Sequence, residues 1–288
     1  MIKNIIIVLL AFALGSSSYA QLPLTKTIAD KVLSDSSWPI NRYVRQRKIS
    51  YIDATGKKVV VMVLKARLKK RRIALEAATP DNKDGFGRQV VPKEMKMENS
   101  QGHRVIAGVN ADFFNMKNGT PLGPVVKEGR IIRGAEKGMN SFVGITTSGN
   151  IIIGDSLLFV RDRNRLKEAL GARPVLIKNG KCLVQDTGSF STIHHPRTAF
   201  GVIGKRTVLL VTVDGRQPDI SNGISLTDLA ALMRFLGADN AVNLDGGGST
   251  TMVVSDPQTA TYKVVNSPSG KALRPVANSW ILINKRPD

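Results

Sequence analysis

Hydrophobic positions in this chain come mostly in short blocks of alternating or continuous apolar residues, separated by glycine, asparagine and charged turns. This spacing predicts strands over Tyr43–Ile52, Lys58–Leu68 and Ile73–Ala78. The block HRVIAGVNADFFN predicts a buried strand that ends in polar residues. PVVKEGRIIRG, FVGITTSGNIIIGD and VLIKNGKCLV predict hairpins turning at Glu128-Gly129, Ser148-Gly149 and Asn179-Gly180. TKTIADKVLSDSSWPI and DRNRLKEALG read as short helices, the second stopped by Gly171. TPDNKDGFGRQVVP is a turn-rich loop whose acidic spacing does not match a calcium-binding hand.

The last third is patterned most clearly. RTVLLVTVDG is a continuous apolar strand ending at Asp214. SLTDLAALMRFLGA is an amphipathic helix, with Ser225 as N-cap, Asp228 three residues on, Leu229, Leu232, Met233 and Leu236 as its apolar stripe, and Gly237 as its stop. NAVNLDGGG is a second short strand ending at Asp245. Strand, helix, strand in that order predicts a crossover between parallel strands, which brings Asp214 and Asp245 to one sheet edge; Asn110 and Asp112 are expected at the same edge. The fold class is therefore α+β: a mixed β-sheet with few helices, containing a C-terminal strand-helix-strand crossover that carries the site. The expected organisation is a signal peptide over 1–20, an N-terminal β-rich segment over 21–100 and a catalytic domain over 101–286.

Composition changes this picture in three ways. The first residues combine Lys3, an apolar stretch from Ile5 to Leu14 and a small-residue site, Ser18-Tyr19-Ala20, before Gln21. This is the pattern of a cleaved export signal, too short for a stable membrane anchor, so a periplasmic or extracellular protein is expected. Cys182 is the single cysteine, which excludes an internal disulfide and a thiolate metal cluster; its setting suits a packed or edge-strand thiol. The net charge of +20 favours anionic partners. The densest basic run, KARLKKRR, follows a strand and reads as a solvated strand end or hairpin. It has no interleaved aromatics for base stacking, and no nucleic-acid partner is expected.

GGGST lacks the lysine and spacing of a P-loop, the dinucleotide fingerprint and the second glycine of a nucleophile elbow. His103, His194 and His195 do not form a metal-ligand spacing, so neither metal nor cofactor is expected, and the His194-His195 pair reads as a loop feature. What remains is aspartates beside glycines. Glycine admits a ligand to the backbone and exposes its N–H donors. An anion beside an aspartate needs balancing cations, and Arg197, Arg216 and Arg274 are the candidates, their planar forks suited to phosphate.

GVNADFFN, HHPRTAFG, LVTVDGRQP, GISLTDLAALMRFLGADNAVNLDGGGSTTM and RPVANSWIL occur in an order that resembles the phosphodiester glycosidase family, over roughly residues 101 to 285. The family's aspartate-triglycine motif matches Asp245, Gly246, Gly247 and Gly248, and its DGR and PRT motifs match Asp214–Arg216 and Pro196–Thr198. Its asparagine-containing NGGFF pattern matches Asn110–Phe114, with Ala111 and Asp112 in place of glycines. The resemblance implies a sugar-1-phosphodiester or phosphorylated glycan as substrate. It implies Asp245 or Asp214 as the carboxylate that attacks the anomeric carbon or activates water. The triglycine amides, Ser249 and Thr250 would then hold phosphate or sugar oxygens, and Arg197 would hold the phosphate. Asn110, Thr227 and Asn278 would be positioning groups. A phosphodiesterase acting on an anionic wall polymer, or a non-catalytic binder of anionic glycans, remains the alternative.

Overall fold

The computed structural model describes residues 23–136, 141–184, 188–256, 258–259 and 261–286. The expected signal peptide, residues 1–20, lies outside the described residues. In chain order the strands are β1 (Ala29–Asn41), β2 (Val44–Asp53), β3 (Lys58–Arg67), β4 (Ile73–Ala78), β5 (Arg104–Asn110), β6 (Val125–Lys127), β7 (Arg130–Arg133), β8 (Ser141–Thr146), β9 (Ile151–Gly154), β10 (Leu166–Ala172), β11 (Val175–Lys178), β12 (Lys181–Cys182), β13 (Arg197–Ile203), β14 (Thr207–Val213), β15 (Asn240–Asn243), β16 (Met252–Ser255), β17 (Tyr262–Val264) and β18 (Ser279–Asn284). Among the described residues four short α-helices accompany them: α1 (Val91–Glu98), α2 (Ser156–Asp162), α3 (Ser189–Thr192) and α4 (Leu226–Phe235).

The strands form three sheets, ordered β1-β2-β3-β14-β13-β15-β11-β12, β7-β6-β10-β8-β9 and β17-β16-β5-β18-β4. All three contribute to one core, where Leu64 and Leu210 of the first sheet meet Val109 and Trp280 of the third and Val143 and Leu170 of the second. Phe200 and Trp280 meet across it with ring centroids 5.9 Å apart. The outer face of the first sheet is covered by α4, through Leu229, Leu232 and Met233. That is why β14 reads as a continuous apolar run: Val208 and Leu210 face the central core while Leu209, Val211 and Val213 face the helix. Helix α1 covers the outer face of the third sheet through Val91 and Met95.

The predicted strand, helix and strand are present as β14, α4 and β15, and Ser225 caps the helix, its hydroxyl accepting from Asp228 N at 3.0 Å. The expected parallel pairing is not. Strand β13 lies between β14 and β15 and is antiparallel to both. The two outer strands therefore still run in the same direction, and Asp214 and Asp245 leave the sheet at one edge. Two helix expectations are corrected. Residues 29–41 are the edge strand β1, paired along their length with β2 from Ala29↔Asp53 to Asn41↔Val44. LKEALGA is strand β10, held between β6 and β8; its helix-forming residues are overruled by two flanking partners. Cys182 is exposed on the edge strand β12.

Candidate active site

The site is assembled where β5, β13 and β15 end together. Asn110, fully buried at the end of β5, ties the three. Its Nδ2 donates to the carbonyl of Asp245 (2.6 Å), and its Oδ1 accepts from Thr198 Oγ1 (2.8 Å) and Thr251 N (3.1 Å). Asp245 N in turn donates to Ala111 O (2.8 Å), which sets the triglycine loop against the NADFF segment. Asn278, on the strand side of the third sheet, accepts from Asp112 N at 2.9 Å through Oδ1; its Nδ2 is buried without a partner. Both asparagines are fully buried and tie together the segments around Asp245 and Asp112.

Of the triglycine amides, that of Gly247 is committed to the protein backbone. Gly247 N donates to Pro196 O (2.8 Å), while Ser249 N and Thr250 N close a tight turn on Gly246 O and Gly247 O (both 3.2 Å). Gly246 packs on Pro196, where a Cβ would stand 2.6 Å from the carbonyl oxygen. The other two make room for arginines. A Cβ on Gly247 would lie 3.2 Å from Arg216 Nη1, and one on Gly248 only 2.4 Å from Arg274 Nη2. Gly247 also has φ of 60°, which glycine adopts without strain. Two guanidinium groups thus rest on the bare backbone beside Asp245.

Burial raises the Asp245 carboxyl to about 6, opposed by the Ser249 hydroxyl and then by Arg274, the Gly246 amide and Arg173. The Ser249 hydroxyl sits beside this carboxylate without reaching the geometry of a full hydrogen bond, and the Ser249 and Thr250 hydroxyls are both buried. The neighbouring carboxyl is that of Asp112. It accepts from Gly123 N at 2.7 Å and is wedged between Gly123 and Gly171, where added Cβ atoms would come within 2.8 and 2.5 Å of its Oδ2. Burial pushes Asp112 up to about 7, and the Asp245 charge adds to the rise. At neutral pH the pair therefore carries a proton on Asp112 more readily than on Asp245.

Asp214, expected at the same sheet edge as Asp245, has hydrogen-bond partners of its own. Asp214 is buried, and its Oδ1 accepts from Asn266 Nδ2 (2.8 Å) and Ser267 N (2.9 Å). Burial raises it to about 6, against those bonds and the charge of Lys48. Arg197 lies near enough to Arg216 for the two charges to oppose each other, but its fork is turned from the triglycine loop. Counting back along β13 from Ala199, it faces α4 and not the triglycine loop. Its Nη2 donates to Phe190 O (2.7 Å) and Ile193 O (3.2 Å), its Nε to Ile224 O (3.4 Å), and it stacks over Phe190 at 5.1 Å. Its fork is committed to holding the 190–197 loop. Arg197→Lys is accordingly expected to lower the melting temperature, by about 1–3 kcal/mol of lost carbonyl bonds, while leaving KM for a phosphodiester nearly unchanged; thermal denaturation beside steady-state kinetics decides it, and a raised KM at unchanged melting temperature would contradict this placement. Thr227 lies half-buried in the first turn of α4.

Three residues join the site that sequence reasoning missed. Arg173, just beyond β10, influences both Asp112 and Asp245 and stacks on Phe113 at 4.9 Å. It is fixed by its backbone, which donates to Asn243 O (2.8 Å) and accepts from Asn243 Nδ2 (2.7 Å). Phe113 neighbours Phe190, centroids 6.4 Å apart. His195 Nδ1 lies 3.4 Å from Arg216 Nη2, and burial with the Arg197 and Arg216 charges lowers its pKa. The one sequence signal for Arg173 was its Arg-Pro pair, repeated at Arg274-Pro275. Among the described residues no group of three or more His, Cys, Asp or Glu is arranged to hold a metal.

Asp112 is buried, Asp245 is half-buried near it, and the Arg216 and Arg274 guanidinium groups lie against the triglycine backbone. The family model for phosphodiester glycosidase matches residues 103–283, and the chain belongs to that family. It is 32% identical over 162 residues to mouse N-acetylglucosamine-1-phosphodiester alpha-N-acetylglucosaminidase, covering 51% of this chain and 31% of that protein. The human protein of the same name is 31% identical over 162 residues, again 31% of its length. The chain thus matches about a third of the length of these relatives. In structure it is similar to the zebrafish N-acetylglucosamine-1-phosphodiester alpha-N-acetylglucosaminidase catalytic domain auto-inhibited by pro-peptide. That match has a TM-score of 0.69 at 20% identity, over 86% of this chain and 88% of that one, and shows a shared fold.

Proposed function

We propose that the protein is an exported hydrolase that cleaves the glycosidic C1–O bond of a sugar-1-phosphodiester, releasing the sugar and a phosphomonoester. The observation that carries this is the seating of the Arg216 and Arg274 guanidinium groups on Gly247 and Gly248 beside Asp245. In this reading the forks hold phosphate oxygens, and Arg173 adds a third cation. A phosphodiester brings one negative charge and Asp245 another; were Asp112 also ionised, a third would enter the same buried space. Keeping Asp112 protonated leaves the arginines free to stabilise charge that builds on the departing phosphate. Asp245 supplies the negative charge facing the anomeric carbon, where positive charge develops in an oxocarbenium-like transition state. Because phosphate is a weak base, the leaving oxygen departs with the bonding electrons without full protonation; water supplies the hydroxyl at C1 and gives up its other proton to the Asp245 carboxylate, which returns it to the phosphomonoester or to solvent. Export is supported by Lys3, the apolar Ile5–Leu14 stretch and the Ser18-Tyr19-Ala20 site. No described helix is long and apolar enough to cross a membrane.

The test is the pH dependence of turnover of an N-acetylglucosamine-1-phosphodiester. Asp245 must be ionised, so the rate rises as pH passes about 6; Asp112 must hold its proton, so the rate falls as pH passes about 7. A narrow maximum between these values is expected. Asp112→Asn should keep the acidic limb and lose the alkaline one. No release of free sugar, or a rate still climbing above pH 8, would contradict the proposal.

A further inference from the structure

Behind the triglycine loop, on the Asp214 side, lies a cleft of about 410 Å³. It is built across four strands of the first sheet. Ser34 of β1 is paired with Ser50 of β2, Ser50 with Val60 of β3, and Val60 O accepts from Asp214 N at 3.0 Å. One residue along the same face, Lys48 is paired with Met62. Lys58, Asn266 and Ser267 complete the polar rim, and Ile220 and Val265 form an apolar wall. The volume is within the range of small-molecule sites, roughly 300–1,000 Å³.

Two observations make this a built site and not a surface crevice. Ser50 lines it, and its hydroxyl is buried with no hydrogen-bond partner among the described residues. A buried hydroxyl left unsatisfied is costly, and rotation of the side chain toward the cleft would let a ligand hydroxyl satisfy it. Asp214 lines it as well, with both of its protein donors on Oδ1; Oδ2 makes no hydrogen bond among the described residues. Asn266 and Ser267 therefore hold the carboxylate in a fixed orientation, with one oxygen left over.

We propose that this cleft is a second ligand site, which takes a neutral polyhydroxylated unit, a pyranose or an alditol, with Asp214 and Ser50 as its hydroxyl-binding groups. The charges lining it favour such a ligand over an ion. Lys48 and Lys58 are matched by Asp214 and Asp219, so neither a phosphate nor a metal cation finds a net charge of the opposite sign. Vicinal hydroxyls suit both kinds of group, donating to the carboxylate and accepting from the ammoniums. The apolar wall meets the C–H face of a sugar ring. Half of the site comes from residues 34–62, which precede the family-matched region of 103–283; Asp214, Asn266 and Ser267 come from within it. The N-terminal strands thereby gain a role in ligand choice. Asn266 Nδ2 also donates to Thr250 O at 3.2 Å, so the cleft adjoins the triglycine loop while remaining lined by its own residues.

The test is direct binding, by calorimetry and ligand-observed NMR, of glucose, N-acetylglucosamine and glycerol, with inorganic phosphate as the ionic control. Saturable binding of at least one of the three is expected. Ser50→Val should weaken it about fivefold or more without loss of melting temperature, since that hydroxyl bonds nothing in the free protein. Asp214→Asn should weaken it about tenfold or more, and Asp245→Asn should leave it unchanged. Binding lost in Asp245→Asn but kept in Ser50→Val would place the sugar in the catalytic site alone and overturn the proposal. Phosphate competing with the sugar, in the Asp245→Asn background, would make the cleft an anion site and overturn it too, as would no sugar binding by the wild-type protein. None of these outcomes depends on whether the phosphodiester is turned over.

Discussion

Asp245→Asn is expected to lose turnover by about 10²–10⁴-fold while folding at least as well as the parent. The sign of the stability effect follows from the shift. The carboxyl is raised from 3.8 to about 6 in the folded protein, so the folded state resists its ionisation. That cost is absent below about pH 4, grows as pH rises, and is complete above about pH 6. A two-unit shift corresponds to about 3 kcal/mol at most. Asparagine keeps the shape and removes the charge, so the variant should melt higher than the parent at pH 7 and equally at pH 4. A dead and destabilised variant would mean that Asp245 is a structural anchor; a stable variant with near-normal kcat would remove it from the chemistry. The combination expected, stabilised and inactive, is the trade-off of a site that holds a costly charge for function.

Gly248→Ala is the second large effect. The added methyl would stand 2.4 Å from Arg274 Nη2 and 2.6 Å from Cζ, so the guanidinium must leave its seat. If Arg274 holds phosphate as proposed, displacing it by an ångström or so is expected to lower kcat/KM by about 10²-fold. Arg274→Ala should cost a similar factor. The informative measurement is the double variant: if the glycine acts by seating that arginine, adding Gly248→Ala to Arg274→Ala should cost almost nothing further. Additive losses would show that the glycine serves the substrate directly through its backbone, as the sequence motif first suggested.

Much of the architecture was legible because both faces of the central strands are buried. VLLVTV can hardly be anything but an interior strand, and the Ser225-capped helix after it has an unbroken apolar stripe. What stayed hidden were elements decided by their neighbours. Strand β1 is largely exposed and rich in serine, so no alternation marks it; its state is set by pairing with β2. Strand β10 carries Glu168, which is fully buried, and a buried glutamate is not a signal a strand gives in sequence. Helix α1 buries Glu94 and Glu98 beside its apolar residues, and so lacks a clean stripe.

The site shows the same division. Asp245, Asn110, Arg216 and Arg274 were visible as a motif, and the structure gathers them. The direction of Arg197 depends on strand parity: Thr198 faces the central core and reaches Asn110, so its neighbour must face α4. Arg173, Phe113 and His195 come from separate connections, and the fold alone brings Arg173 to Asp245 and Phe113, and His195 to Arg216. The glycines were recognised as a point of close approach, but what approaches in the free protein is the protein's own arginines.

In the proposed reaction the bond to the anomeric carbon breaks, with Asp245 facing that carbon and the arginines facing phosphate. Hydrolysis of an N-acetylglucosamine-1-phosphodiester in oxygen-18 water, with both products analysed by mass spectrometry, separates this from attack at phosphorus. The isotope should appear at C1 of the released sugar, read before the anomeric hydroxyl exchanges with solvent, and the phosphomonoester should carry none. Label in the phosphomonoester, with none in the sugar, would place the attack at phosphorus and contradict the account.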